Sequence, residues 1–247
     1  MRPIETKKKQ VVYNFSTQHS KSIRELELKP REEVTMKSYQ FSVLILMLFT
    51  LAGSATYAHE HEKSVANAAD KVCPIKVGEA LPNISLTAIN GKAVAIGDLV
   101  KSAPSVLIFY RGSWCPYCNT QLGELQTKEA ELKQMGYQII AISPDLPENL
   151  AKSVKQNELS YILLSDSKAN LAKAMGLAFK VDDKTNEILL SYKIDLAKAS
   201  GEKHRILPVP AAVIVGKDQV VDFIHFSPDY KIRIAPEVLV AAAKAAL

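Results

Sequence analysis

Val106-Leu-Ile-Phe-Tyr-Arg-Gly-Ser-Trp-Cys-Pro-Tyr-Cys118 decides how this 247-residue chain reads. The apolar run 106–110 has the length and the β-branched and aromatic content of a buried strand. Residues 111–114 make a short turn. Beyond it Leu122, Leu125, Ala130, Leu132 and Met135 recur at helical spacing, and Gly136 closes the pattern. Cys115 and Cys118 therefore stand where a central strand hands over to the first turn of a helix. Pro116 falls where its missing N–H is not needed. A helix N-terminus carries unpaired N–H groups and partial positive charge, which favour a thiolate, the nucleophilic form, over a thiol. Arg111 adds positive field, and Trp114 is placed to shield one side of the pair from water. The three-residue spacing brings both sulfurs over one turn, so a disulfide can form and open without moving the backbone far.

Other readings of a C-x-x-C compete with this one. Zinc usually takes four ligands. Beyond the pair, only Cys73 and five scattered histidines remain. A structural disulfide, a binding module, or a zinc or copper carrier using Cys115 and Cys118 are the non-enzymatic alternatives. The strand-to-helix context favours redox chemistry.

Cys115-Pro-Tyr-Cys118 resembles the dithiol of glutaredoxins, and Trp114-Cys-x-x-Cys that of thioredoxins. The longer string from Phe109 to Leu122 resembles the peroxiredoxin (AhpC/TSA) family, in the branch that keeps a C-x-x-C, and the likeness runs from about residue 76 to the C-terminus. The resemblance implies a thioredoxin-like α/β fold with a mixed central sheet and helices on both faces. It implies a peroxidase that is reduced by an external, thioredoxin-like dithiol and needs no cofactor. On the family pattern Cys118 falls on the peroxidatic cysteine, Cys115 on a threonine and Arg111 on a proline. The family uses that threonine and a later arginine to hold peroxide. Here a thiol replaces the hydroxyl. No arginine opens the strand at 211–215, and Arg205 is a few residues early. Thiol–disulfide exchange on exported proteins, which needs neither group, is the alternative. In exchange Cys115 attacks first and Cys118 resolves; in the peroxidase Cys118 attacks and Cys115 resolves.

Pro210 lies at the place where the thioredoxin superfamily carries a cis-proline facing the dithiol, with the backbone of Val209 exposed to pair with a substrate. Cys73, the odd thiol, is a possible resolving partner, a cross-linking site or an inert residue.

The rest of the chain supplies the frame. Asn90-Gly91 marks a hairpin, and 97–101 a short helix. The order strand, helix, strand over 106–142 implies a parallel pair with a right-handed crossover. A helix over 147–159 and a strand over 161–164 follow. Asp166 or Ser167 caps a helix running through Leu171 and Met175 to Leu177. Residues 180–205 read as an insertion with a strand over 188–194 and a short helix over 195–201, bordering the site. A strand over 211–215, a turn at 216–219, a strand over 220–226 and a helix from Pro236 complete the chain.

Residues 1–35 are polar and read as disordered or as a mis-assigned start. Met36-Lys37, the apolar run 41–52 and the small-residue exit to Ala58 read as an export signal, with a membrane anchor as the alternative. The apolar run is short against the roughly 20 residues of a span. The body is then expected in an exported, periplasmic setting, free of the membrane after cleavage. His59-Glu-His-Glu62 alternates metal-binding residue types, with a solvated terminus as the plainer reading. Residues 59–75 read as a linker and 76–247 as the redox domain. Of the net charge of +5, most belongs to residues 1–58, with nine Lys+Arg against five Asp+Glu. The remainder is nearly neutral, so no nucleic-acid surface is expected.

Overall fold

The structure is a computed structural model that describes residues 65–247. The readings of 1–35, of the export signal at 36–58 and of His59-Glu-His-Glu62 lie outside those residues. The chain order is β1 (Ser85–Ala88), β2 (Ala93–Ala95), α1 (Ile96–Ser102), β3 (Ser105–Phe109), α2 (Pro116–Gln126), α3 (Glu129–Gln134) and β4 (Gln138–Ser143). It continues with α4 (Pro147–Gln156), β5 (Ile162–Ser165), α5 (Asn170–Ala174), β6 (Ala178–Lys180), α6 (Asp183–Ser191) and α7 (Leu196–Ser200). It ends with β7 (Ile206–Pro208), β8 (Ala211–Val215), β9 (Val221–Phe226) and α8 (Pro236–Ala245).

Among the described residues, seven strands form one mixed sheet in the order β2-β1-β5-β4-β3-β8-β9. The strand that delivers the dithiol sits inside it: β3 pairs parallel with β4, Val106 opposite Ile139, and antiparallel with β8, Val106 opposite Ile214. All five residues of β3 are buried, as a continuous apolar run flanked on both edges requires. Its side chains alternate between two cores. Val106 and Ile108 face Leu122 and Leu125 of α2, Leu150 of α4, and Leu239 and Ala243 of α8. Leu107 and Phe109 face Ile96 and Val100 of α1 and Leu171 of α5. The fold is thus a mixed α/β sheet with helices on both faces. Each of these large side chains contributes about 1.5–3 kcal/mol through burial. Two tyrosines fasten helices to the first core: Tyr161 donates from its hydroxyl to the carbonyl of Leu122 at 2.9 Å, and Tyr137 to that of Ala243 at 3.0 Å.

Three features depart from the sequence reading. The helix expected across 116–135 is two helices. At the break the N–H groups of Thr127 and Lys128 bond three residues back, and the Thr127 hydroxyl donates to the Glu124 carbonyl at 2.7 Å, which tightens the last turn. The strand expected over 188–194 is the second half of α6 and the turn after it. Ile188, Leu190 and Tyr192 alternate as a strand would, yet all three are exposed. The Asp182 carboxylate accepts from the Thr185 N–H at 2.9 Å and caps the helix, and only Leu189 of that helix is buried. The described part of the expected linker is tied to the domain: Ala66 bridges Phe179 of β6, and Ile75 enters the second core.

Other local readings hold. Gly91 turns the β1–β2 hairpin at φ +78. The Asp166 carboxylate accepts from the N–H groups of Leu171 and Ala172 at 3.2 and 2.9 Å and so caps α5 as expected, but the helix ends at Ala174, short of Met175 and Leu177. Asp195 caps α7 through the N–H groups of Ala197 and Lys198.

Candidate active site

The turn between β3 and α2 is built by backbone bonds. Ser113 donates its N–H to a buried carboxylate, Asp145 Oδ2, at 2.6 Å. Asn119 reaches back from α2 to donate to the Ser113 carbonyl at 2.9 Å. Gly112 sits at φ +149, where a side chain is strained, and a Cβ there would collide with the Trp114 indole and the Asp145 carboxylate. The Cys115 N–H donates to the Gly112 carbonyl at 3.1 Å. Cys115 is then the residue before α2 in extended conformation, and its carbonyl accepts from Cys118 and Asn119 at 3.0 and 3.1 Å, closing the first helical turn. The expected placement of the dithiol at a helix N-terminus is what the backbone forms.

The two sulfurs differ in environment. Cys115 is 1% exposed and Cys118 0%. The Cys118 thiol donates to the Cys115 sulfur, and this bond is the main reason the Cys115 thiol is lowered from an ordinary 9.0 to about 6. Burial opposes the shift; the Cys118 backbone N–H, Arg111 and Arg233 assist it. Cys118 moves the other way. Burial pushes its thiol up, and the bond to Cys115 and the charge there add to the effect, with Arg233 as partial compensation. The two shifts run in opposite directions, and they favour Cys115 over Cys118 as the sulfur that ionises first.

Arg111 is buried to 7% exposure, with its guanidinium carbon 4.9 Å from the Trp114 ring centre and 4.2 Å from that of Tyr230. The positive field expected from it is thus held by two aromatic faces. Trp114 is half-buried against Val181, Leu189, Leu196 and Leu207, so the 180–205 segment walls one side of the turn. Tyr230 also meets Tyr117, the residue between the cysteines, edge to face at 5.7 Å.

The sequence reading missed Arg233. It lies in the connection between β9 and α8, and each of its three side-chain nitrogens makes one bond: Nη2 to Cys118 Sγ at 3.3 Å, Nη1 to Gln121 Oε1 at 2.9 Å, and Nε to the Tyr230 carbonyl at 3.0 Å. The only sequence signal is a cation-rich, aromatic loop, Asp229-Tyr-Lys-Ile-Arg233, which many surfaces carry. Arg205, the early arginine, pairs instead with Asp183 at 2.7 Å. Asp145 was also missed as the anchor of the turn. Burial raises its carboxyl to about 6, against the lowering effect of the Ser113 N–H.

Pro210 is placed differently from the expectation. No cis peptide bond occurs among the described residues, so Pro210 is trans. Val209 is fully buried and its N–H donates to the Leu177 carbonyl at 2.9 Å. Its N–H is committed to the fold and is not offered to a substrate strand. Pro210 lines a small cavity with Gln121, His225 and Arg233. Cys73 is exposed and unpaired with another cysteine. It is held near the second core by Ile75, whose N–H donates to the Met175 carbonyl at 2.8 Å, whereas the dithiol belongs to the first core across the sheet. Among the described residues no group of three or more His, Cys, Asp or Glu could hold a metal ion, and no helix is long and apolar enough to cross a membrane.

A putative peroxiredoxin bcp of Haemophilus influenzae is 32% identical over 104 residues, 42% of this chain and 66% of that protein. Peroxiredoxin Bcp of Escherichia coli is 30% identical with the same coverage. The match thus spans just under two thirds of these relatives. The thiol-disulfide oxidoreductase ResA of Bacillus cereus is 24% identical over 174 residues, 66% of this chain and 92% of that protein. The reduced Prx3 of Vibrio vulnificus, solved in complex with hydrogen peroxide, superposes with a TM-score of 0.56 at 19% identity, over 68% of this chain and 99% of that one. That likeness, with the mixed sheet, establishes the thioredoxin-like fold. The AhpC/TSA family model matches residues 77–224, more than half of the sequence and all of the dithiol region, and the chain belongs to the AhpC/TSA family.

Proposed function

We propose that this chain is a thiol-based, peroxiredoxin-like oxidoreductase that reduces hydroperoxides at Cys115 and Cys118 and is regenerated by an external dithiol. The observation that carries this reading is the asymmetric pair: a Cys115 thiol lowered to about 6 beside a fully buried Cys118 thiol that donates to it. With 1% and 0% of the two residues exposed, the pair suits a small oxidant.

Charge decides the order of attack, and it reverses the peroxidase order read from the family pattern. The Cys115 thiolate attacks the near oxygen of the hydroperoxide. The O–O bond breaks, the sulfur becomes a sulfenic acid, and the alkoxide or hydroxide leaves and takes a proton. Cys118 then attacks the Cys115 sulfur. The S–O bond breaks, water leaves with the Cys118 proton, and a disulfide closes. An external dithiol reduces it by two exchange steps.

The second reading is thiol–disulfide exchange on exported proteins, with Cys115 again attacking first. The depressed Cys115 thiol favours it as much as it favours peroxide reduction, and the similarity to ResA adds to it. The exported setting, with an export signal at 36–58 and a redox domain over 76–247, belongs to this proposal and rests on the sequence pattern.

The test uses the purified full chain with hydrogen peroxide and a dithiol such as dithiothreitol or a thioredoxin. Turnover that Cys115→Ser with Cys118→Ser abolishes supports the peroxidase. Reduction of a protein disulfide without peroxide turnover moves the assignment to exchange. Peroxide consumption unchanged by the double substitution overturns both and returns the pair to the structural or metal-carrying readings.

A further inference from the structure

Resting on that reading, we propose that Arg233 is a catalytic residue of the second half of the cycle: its guanidinium holds Cys118 Sγ as a thiolate, both when that sulfur closes on oxidised Cys115 and when it leaves during re-reduction. Three observations support it. Arg233 Nη2 is 3.3 Å from Cys118 Sγ, whereas Arg111 is held between Trp114 and Tyr230. The guanidinium is aimed by two further bonds, to Gln121 Oε1 and to the Tyr230 carbonyl, so its position does not depend on the charge of the sulfur. Cys118 is fully buried, and burial penalises its ionised form, so an uncompensated thiolate there forms slowly.

The chemistry places the demand on this sulfur twice. In closure, Cys118 gives up its proton and attacks the Cys115 sulfenic acid; the proton leaves with the hydroxide as water. In re-reduction, the thiolate of the external dithiol attacks Cys115 Sγ, the S–S bond breaks, and its electron pair moves to Cys118 Sγ. The second thiol of the reductant then releases Cys115. In both steps negative charge develops 3.3 Å from Arg233. The first step, attack by Cys115 on the peroxide, draws on Arg233 less, because the Cys118 thiol, the Cys118 backbone N–H and Arg111 each lower the Cys115 thiol more than Arg233 does.

The experiment follows the full chain through one turnover. Sulfenic acid is trapped with a dimedone probe against time, disulfide closure is read by loss of free thiol, and the preformed disulfide is reduced with dithiothreitol in the absence of peroxide. Arg233→Gln is expected to slow closure and dithiothreitol reduction on the order of tenfold or more, the loss of one charge-assisted bond, and to lengthen the life of the sulfenic acid. Arg233→Lys, which keeps the charge, is expected to recover a large part of both rates, as a merely structural role would not. Closure and reduction within twofold of the parent in Arg233→Gln overturn the proposal. So does equal slowing in Arg233→Lys and Arg233→Gln. Should Arg233→Gln not fold, Gln121→Ala removes one of the two bonds that aim the guanidinium, and its expected slowing of a few fold, or the lack of any, decides the matter. The peroxide-free reduction separates this proposal from the one it rests on: a chain that never forms sulfenic acid refutes the peroxidase, while its disulfide still reports on Arg233.

Discussion

Cys118→Ala, made in a Cys73→Ser background so that a single thiol remains, removes the group that does most to ionise Cys115. The Cys115 thiol lies at about 6 against an ordinary 9.0. That difference is worth about 4 kcal/mol in favour of the thiolate, at about 1.4 kcal/mol per unit. The hydrogen bond from Cys118 heads the causes, ahead of the backbone N–H, Arg111 and Arg233. Its loss is expected to raise the Cys115 midpoint by roughly 1.5–2 units. At pH 7 the thiolate fraction then falls from roughly nine-tenths to between a quarter and a tenth. A rate at one pH is a poor measure of this, because a thiolate of higher pKa is intrinsically more nucleophilic and offsets much of the loss. The assay is therefore the full pH profile of alkylation of Cys115, with ultraviolet thiolate absorbance in parallel. Cys118→Ser supplies a hydroxyl donor in place of the thiol and is expected to keep the midpoint within about half a unit of the parent. A midpoint that stays near that of the parent in Cys118→Ala refutes the reasoning, since the helix terminus and the arginines would then suffice.

The remaining expectations concern the frame of the site. Cys73→Ser alone is expected to leave peroxide turnover within about twofold, because Cys73 sits across the sheet from the pair; loss of disulfide closure in that variant would give Cys73 the resolving role. Asp145→Asn keeps an acceptor for the Ser113 N–H and removes a carboxylate whose folded value, about 6, exceeds the unfolded one. A raised carboxyl contributes stability that is complete below about pH 4 and lost as pH rises through about 6. The variant is therefore expected to gain about 1–3 kcal/mol at neutral pH and nothing at pH 4, as measured by urea melts at both; a loss at neutral pH contradicts the assignment. Gly112→Ala forces a side chain into a φ of +149 against Trp114 and Asp145 and is expected to cost about 2 kcal/mol or more, with the Cys115 midpoint shifting as the turn moves. An alanine variant that melts with the parent would show that the turn relaxes freely.

Local chemistry made part of this site legible and tertiary placement hid the rest. The dithiol at a helix start could be read because every determinant is within a dozen residues: the apolar strand, the Gly112 turn, Pro116 at the first helical position and the apolar period of α2. The same holds for the β1–β2 hairpin and the Asp166 cap. Arg233 reaches Cys118 across 115 positions of sequence, through the course of β9 and the loop that follows it, and no local pattern encodes that approach. The 188–194 segment was misread for a related reason. Its alternating apolar residues fit a strand, but no sheet edge among the described residues receives them, and the Asp182 cap decides for a helix. Pro210 was read by analogy with a superfamily in which the preceding backbone is open, whereas here the Val209 N–H is already bonded to Leu177.

The central claim is that the single negative charge of the pair sits on Cys115, so that Cys115 is the first sulfur oxidised. Mass-spectrometric mapping of dimedone-trapped sulfenic acid answers it directly, on full chains carrying Cys115→Ser or Cys118→Ser and given less than one equivalent of hydrogen peroxide. The account predicts rapid trapping at Cys115 in the Cys118→Ser chain and slow trapping at Cys118 in the Cys115→Ser chain. Faster trapping at Cys118 than at Cys115 would contradict it.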